Sequence, residues 1–143
     1  MIDKSSKDLS DYRIQKAKDL LSQSKLLFEN QKFDGSINRS YYAIFNAIRS
    51  LLALLKIDSS KHTGVLSFFD KHFVKTGIFE KEYSQIAHSA FDTRQDNDYE
   101  DFYVPSEEES KKQLSEANKF IEEIENKRQL FITKKITLPG IPW

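Results

Sequence analysis

The sharpest pairing of chemical groups in this sequence is Arg94 with Asp98, four residues apart in a stretch of helical periodicity. At that spacing the two side chains share a helix face, and as a plain surface ion pair they contribute only about 0.3 kcal/mol. The same spacing also lets a carboxylate hold a guanidinium in place and present it to a phosphate. Tyr99 follows directly. Extending the apolar side of this helix through Ala87 and Phe91 leads to Arg94, where an apolar residue is expected.

A second polar stripe lies upstream. In RSYYAIFNAIRSLLALL, residues 39–55, helical spacing gathers Ile37, Tyr41, Ile44, Phe45, Ile48, Leu51, Leu52 and Leu55 on one broad apolar face. Ser40, Ala43, Ala47 and Ser50 form a ridge of small side chains. Arg39, Tyr42, Asn46 and Arg49 make a third stripe carrying two cations, a phenol and an amide. These four either line a site or interface, or are buried polar groups satisfied within the fold. A helix with three distinct stripes touches neighbours on more than one side, so the rest of the chain is expected to pack around it.

Other chemistry is sparse. The three histidines, His62, His72 and His88, lack the second histidine or carboxylate of a metal-binding arrangement. His62 near a helix start and His72 near a helix end fit cap or surface roles, and His88 sits beside an apolar face. There is no cysteine, hence no disulfide and no thiol nucleophile. Neither a glycine-rich phosphate loop nor a GxSxG elbow is present. The carboxylates of EDFYVPSEEES suit a loop and a helix start, where negative charge complements the dipole.

Periodicity places the elements that position these groups. Helices are expected over about residues 9–31, 34–56, 62–74, 79–97 and 107–131, with Asp34 as a candidate N-cap and Thr76-Gly77 as a stop. Ser106 with Glu109 reads as a capping box. The acidic, aromatic DNDYEDFYVP is a loop, and no alternating strand pattern occurs. The expectation is an all-α, up-and-down antiparallel bundle over residues 1–131, followed by an extended apolar tail, 132–143. Ile136, Leu138, Ile141 and Trp143 of that tail are costly to leave in water and call for a receiving groove.

Lys plus Arg equals Asp plus Glu at 22 each, which argues against an extended cationic surface for duplex nucleic acid but allows a local basic pocket. No segment approaches a membrane span, and the first residues lack the apolar core of a signal peptide, so the cytoplasm is the expected location.

The runs NRSYYAIFNAIRSLL, KHTGVLSFFDKHFVKTG, AFDTRQDNDYEDF and PSEEES, in that order, resemble the small bacterial and archaeal HEPN-domain proteins. The resemblance covers about residues 9–124. It implies a four- or five-helix bundle, commonly a homodimer, and in many members a partnership with a minimal nucleotidyltransferase in a toxin–antitoxin or similar module. Toxic members are metal-independent ribonucleases with an Arg-x4–6-His motif, paired across the dimer. Arg94 matches that arginine. After it come Gln95, Asp96, Asn97, Asp98, Tyr99, Glu100 and Asp101, with no histidine, and Asn46 takes a position where relatives often carry one.

Cutting RNA without metal needs a group that moves protons near neutral pH, and carboxylates and phenols start far from it. The resemblance therefore implies a non-catalytic or weakly active dimer, free of cofactor and metal, that binds a nucleotidyltransferase partner and takes a nucleotide or RNA end. In that reading Arg94 is the anion contact, Asp98 orients it, and Tyr99 and Asn46 line the cleft. Arg39, Tyr42 and Arg49 are further nucleotide- or RNA-binding candidates. Tyr99 and Tyr103 are candidates for nucleotidylation, since some partner enzymes modify a tyrosine near this motif. The alternative is a metal-independent endoribonuclease toxin using Arg94 with Asp98 or Tyr99 as the catalytic partner.

Overall fold

The computed structural model describes residues 2–59 and 61–140. Five α-helices follow one another: α1 (Lys4–Glu29), α2 (Phe33–Leu54), α3 (His62–Phe69), α4 (Lys81–Tyr99) and α5 (Glu107–Ile132), with no strand among the described residues. The all-α bundle expected from periodicity is what forms. Helix α2 is its axis and touches each of the other helices.

The stripes of α2 explain that position. Tyr41, Ile44, Ile48, Leu51 and Leu52 are fully buried, and so is the small ridge Ser40, Ala43, Ala47 and Ser50. At the ridge, Ser24 of α1 donates its hydroxyl to the Ser36 carbonyl at 2.8 Å and shares hydrogen bonds with the Ser36 and Ser40 hydroxyls at 2.9 and 2.7 Å. Small side chains bring the two backbones close, and the serines satisfy one another there. A Cβ on Gly35, next to Ser36, would come within 3.2 Å of Leu27, which shows how tight the seam is there.

Helix α1 begins earlier than its apolar pattern does. The Asp3 side chain accepts from the Ser6 N–H at 2.8 Å, a cap that starts the helix five residues before Leu9. Asp34 lies inside the first turn of α2 rather than at its cap, since the helix starts at Phe33. Ser106 caps α5 as expected: its Oγ accepts from Glu109 N–H at 3.0 Å and donates to Glu109 Oε1 at 3.3 Å.

The helix expected over residues 62–74 divides into two. After Phe69 the chain widens into a π-helical turn, Asp70–Val74, closed by Lys75 N–H donating to the Asp70 carbonyl at 2.8 Å. Phe69 and Phe73, four residues apart at this turn, are both fully buried, their rings stacked at 6.2 Å. Gly77 then takes φ 83°, the left-handed stop its sequence announced. Beyond α5, Ile136 and Leu138 are partly buried against the core, whereas Ile141 and Trp143 lie outside the described residues.

Candidate functional site

Tyr42 of the α2 polar stripe and the arginine of α4 meet where those two helices pack together. Tyr42 projects from α2 toward α4, and its hydroxyl accepts from Arg94 Nη2 at 2.8 Å. The Arg94 Nε lies 2.9 Å from Asp98 Oδ2, one turn along the same helix. Its N–H does not aim along that line, so the pair is an ion contact without a hydrogen bond, and among the described residues Nε has no hydrogen-bond partner.

Three tyrosine rings surround the guanidinium. Its Cζ lies 5.4 Å from the Tyr41 ring centroid, 5.3 Å from Tyr42 and 5.8 Å from Tyr99. Aromatic faces attract a cation, most strongly where water is scarce, and the Arg94 side chain is only 13% exposed. The apolar-face position of Arg94 thus reflects a ring cage rather than a plain surface pair. Rings, Tyr42 hydroxyl and Asp98 together fix one guanidinium in one orientation.

Against the same two rings stands His62, the first residue of α3. Its Nδ1 lies 2.6 Å from the Tyr41 hydroxyl. Its ring stacks on Phe45 with centroids 4.3 Å apart and on Tyr41 at 5.7 Å, and meets Tyr42 edge-on at 5.9 Å. Burial pushes the His62 imidazole below its ordinary pKa, and the charges of Arg94 and Arg49 add to that. Burial pushes the Tyr41 phenol well up, which the positive charge of Arg94 only partly offsets. His62 is therefore no surface cap. Helical spacing carries no trace of this, because its contacts come from three residues of another helix, Tyr41, Tyr42 and Phe45.

The remaining residues of the stripe turn elsewhere. Asn46 donates to the Tyr42 carbonyl at 2.8 Å, holding the turn from which Tyr42 projects. Arg39 faces α1, with Nε donating to Gln23 at 3.2 Å and Nη1 to Asn38 at 2.8 Å. Arg49 donates through Nη2 to Asp58 at 3.0 Å, and the same carboxylate takes Nη2 of the buried Arg13 at 3.0 Å. Burial acts to raise the Asp58 carboxyl, but hydrogen bonds from Arg49 and the Ser59 N–H and both arginine charges hold it below its usual range.

Tyr99 is 73% exposed at the end of α4, and Phe102 and Val104 of the following loop are fully or largely exposed. Tyr103 differs: its hydroxyl donates to Glu109 Oε2 at 2.5 Å, and burial followed by that carboxylate pushes its pKa up to about 12. The other histidines serve packing and pairing. His72 is buried and stacked on Phe68 at 5.6 Å, and His88 Nε2 lies 2.6 Å from Asp70, which also accepts from Ser84.

A helical bundle whose only caged cation sits on α4, among the described residues, matches one class of small helical proteins in sequence as well. The HEPN-domain profile matches residues 10–127, and the chain belongs to that family. A Thermotoga maritima protein named "UPF0332 protein" is 35% identical over 115 residues, covering 80% of this chain and 87% of its own. Two Methanocaldococcus jannaschii proteins are similar as well. "Putative toxin MJ0605" is 35% identical, covering 78% of this chain and 82% of its own, and "Putative toxin MJ0142" is 31% identical, covering 89% and 84%. The family is thus established. No described helix is long and apolar enough to cross a membrane.

Proposed function

We propose that this chain is a dimeric, cytoplasmic HEPN protein that binds a nucleotide or RNA phosphate at Arg94 and serves as the regulatory partner of a nucleotidyltransferase in a toxin-like module. The observation that carries the reading is the fixed guanidinium of Arg94. A preorganised cation binds an anion without first losing its own rotamer freedom, and a charge-assisted contact to phosphate is among the stronger hydrogen bonds available. Asp98 keeps the local charge balanced, so the site favours a ligand that brings its phosphate to the outer edge of the guanidinium.

The partner half of the reading is supported by the rim of the site. Tyr99, Phe102 and Val104 are exposed side by side in the chain at the end of α4, and exposed apolar groups beside a polar site are characteristic of a protein contact. Tyr99 is the accessible phenol there and the better acceptor for nucleotidylation, because the Tyr103 hydroxyl is tied to Glu109.

Calorimetric titration with adenosine 5′-monophosphate and with a short single-stranded RNA, for the wild type and Arg94→Ala, tests the ligand half. Binding by the wild type and a loss of tenfold or more in the variant is the expected result. Sedimentation of the purified chain tests the dimer, and co-purification with a coexpressed minimal nucleotidyltransferase tests the partner. A monomer that ignores both partner and phosphate would refute the reading.

A further inference from the structure

The histidine missing from α4 has a counterpart in space. Arg94 and His62 are borne by different helices, yet both lie against the same two rings, Tyr41 and Tyr42. Each is thus only a ring contact away from the surface that holds the other. We propose that His62 is a second ligand contact of the Arg94 site, its Nε2–H donating to an oxygen of the bound phosphate, with Tyr41 as the residue that positions it. The proposal rests on the phosphate-binding reading of Arg94 and adds a residue that the motif of α4 does not contain.

The argument begins at Tyr41. Its hydroxyl is buried with the rest of the side chain, and among the described residues its one hydrogen-bond partner is His62 Nδ1 at 2.6 Å. A buried hydroxyl gives its proton to an available acceptor. Burial keeps the phenol protonated, so Tyr41 donates and Nδ1 accepts. In neutral imidazole an accepting Nδ1 leaves the single ring proton on Nε2. Among the described residues Nε2 makes no hydrogen bond, and the residue is partly open to solvent. The stack on Phe45 at 4.3 Å then sets the direction in which that N–H points.

The surroundings favour a neutral donor. The charged and titratable groups facing His62 are Arg49, Tyr41 and Tyr42 from α2 and Arg94 from α4, with Asp58 behind Arg49 and Asp98 and Tyr99 behind Arg94. Two cations nearby resist a third charge. A phosphate contacting both Arg94 and His62 meets a fixed cation and a fixed neutral donor, a combination suited to a phosphodiester or a monoester. Phosphate charge would also ease protonation of the ring, so the ring takes up its second proton at a higher pH in the bound state than in the free one.

Nitrogen-15 correlation spectra of the full-length protein read the tautomer directly. The wild type is expected to show the proton on Nε2 at neutral pH, and Tyr41→Phe to show mixed tautomers. Adding adenosine 5′-monophosphate or a short RNA, in EDTA, is expected to shift the Nε2 resonance of His62. The arm that shifts it at lower concentration distinguishes a free nucleotide from a polynucleotide backbone. His62→Phe, which keeps the stack on Phe45, should bind about tenfold more weakly, the size expected for a hydrogen bond to a charged group. His62→Gln, which places an amide N–H near the position of Nε2, should recover part of the loss.

If Arg94→Ala abolishes binding while His62→Phe binds as the wild type does and the His62 signal stays still, the inference is overturned and the phosphate reading stands. If the wild type binds neither probe, both fall together.

Discussion

Tyr42 shows how much of the site depends on a single oxygen. It accepts from Arg94 Nη2 and lays its ring against the same guanidinium. Tyr42→Phe keeps the ring and removes only the acceptor, so the fold should persist while phosphate affinity falls several-fold, as titration of the variant would reveal. Unchanged affinity would mean that the rings and Asp98 suffice to hold Arg94. At Tyr99 and Tyr103 the contrast is chemical: AMP transferred by a purified nucleotidyltransferase should label Tyr99, and mass spectrometry finding label on Tyr103 alone would reverse the assignment. Arg94, Asp98 and Tyr42 were legible in the sequence because helical spacing put polar groups on faces where they stood out. His62 was not legible, since its role comes from Tyr41, Phe45 and the rings they share, a conjunction of two helices that no local pattern records.

Among the elements, the seam between α1 and α5 is tied by a buried arginine. Arg128 is 4% exposed, and it donates to Ser10 at 3.0 Å, Asp11 at 2.8 Å and Glu125 at 3.0 Å. Arg128→Ala strands these partners and should lower stability by about 3 kcal/mol, measured by denaturant unfolding. The same seam gives a pH signature. Burial acts to raise the carboxyls of Asp11 and Glu125, but hydrogen bonds and charge from Arg128 and the neighbouring lysines hold both below their ordinary values. A depressed carboxyl stabilises the fold above its unfolded pKa, and that contribution disappears as pH falls through the folded value. Unfolding temperature should therefore drop as the pH is taken below the normal carboxylate range, and drop less steeply in Arg128→Met, which has lost the pairing already. The stripes of α2 foretold this helix as the axis. The Asp3 cap and the π-helical turn escaped notice because KSSK has no apolar period and a π turn keeps the sequence pattern of an α-helix.

At the scale of the molecule, the bundle brings α2, α3 and α4 together around Tyr41 and Tyr42 and leaves exposed apolar groups just beyond α4. A nucleotidyltransferase complex formed through those groups should weaken when Phe102→Asp introduces charge there, with sedimentation of the mixture showing dissociation and circular dichroism showing the helices intact. The architecture was legible from composition and periodicity, because five amphipathic stretches with short connections have few other ways to bury their faces. What the bundle is for depends on whether the missing motif histidine leaves a binding site or a cutting one.

The most direct test incubates end-labelled RNA in EDTA with wild-type protein and with Arg94→Ala, following retention and length together. The account predicts that the wild type retains the RNA uncut and that the variant releases it. Metal-independent shortening by the wild type, lost in the variant, would contradict it and make the chain an endoribonuclease.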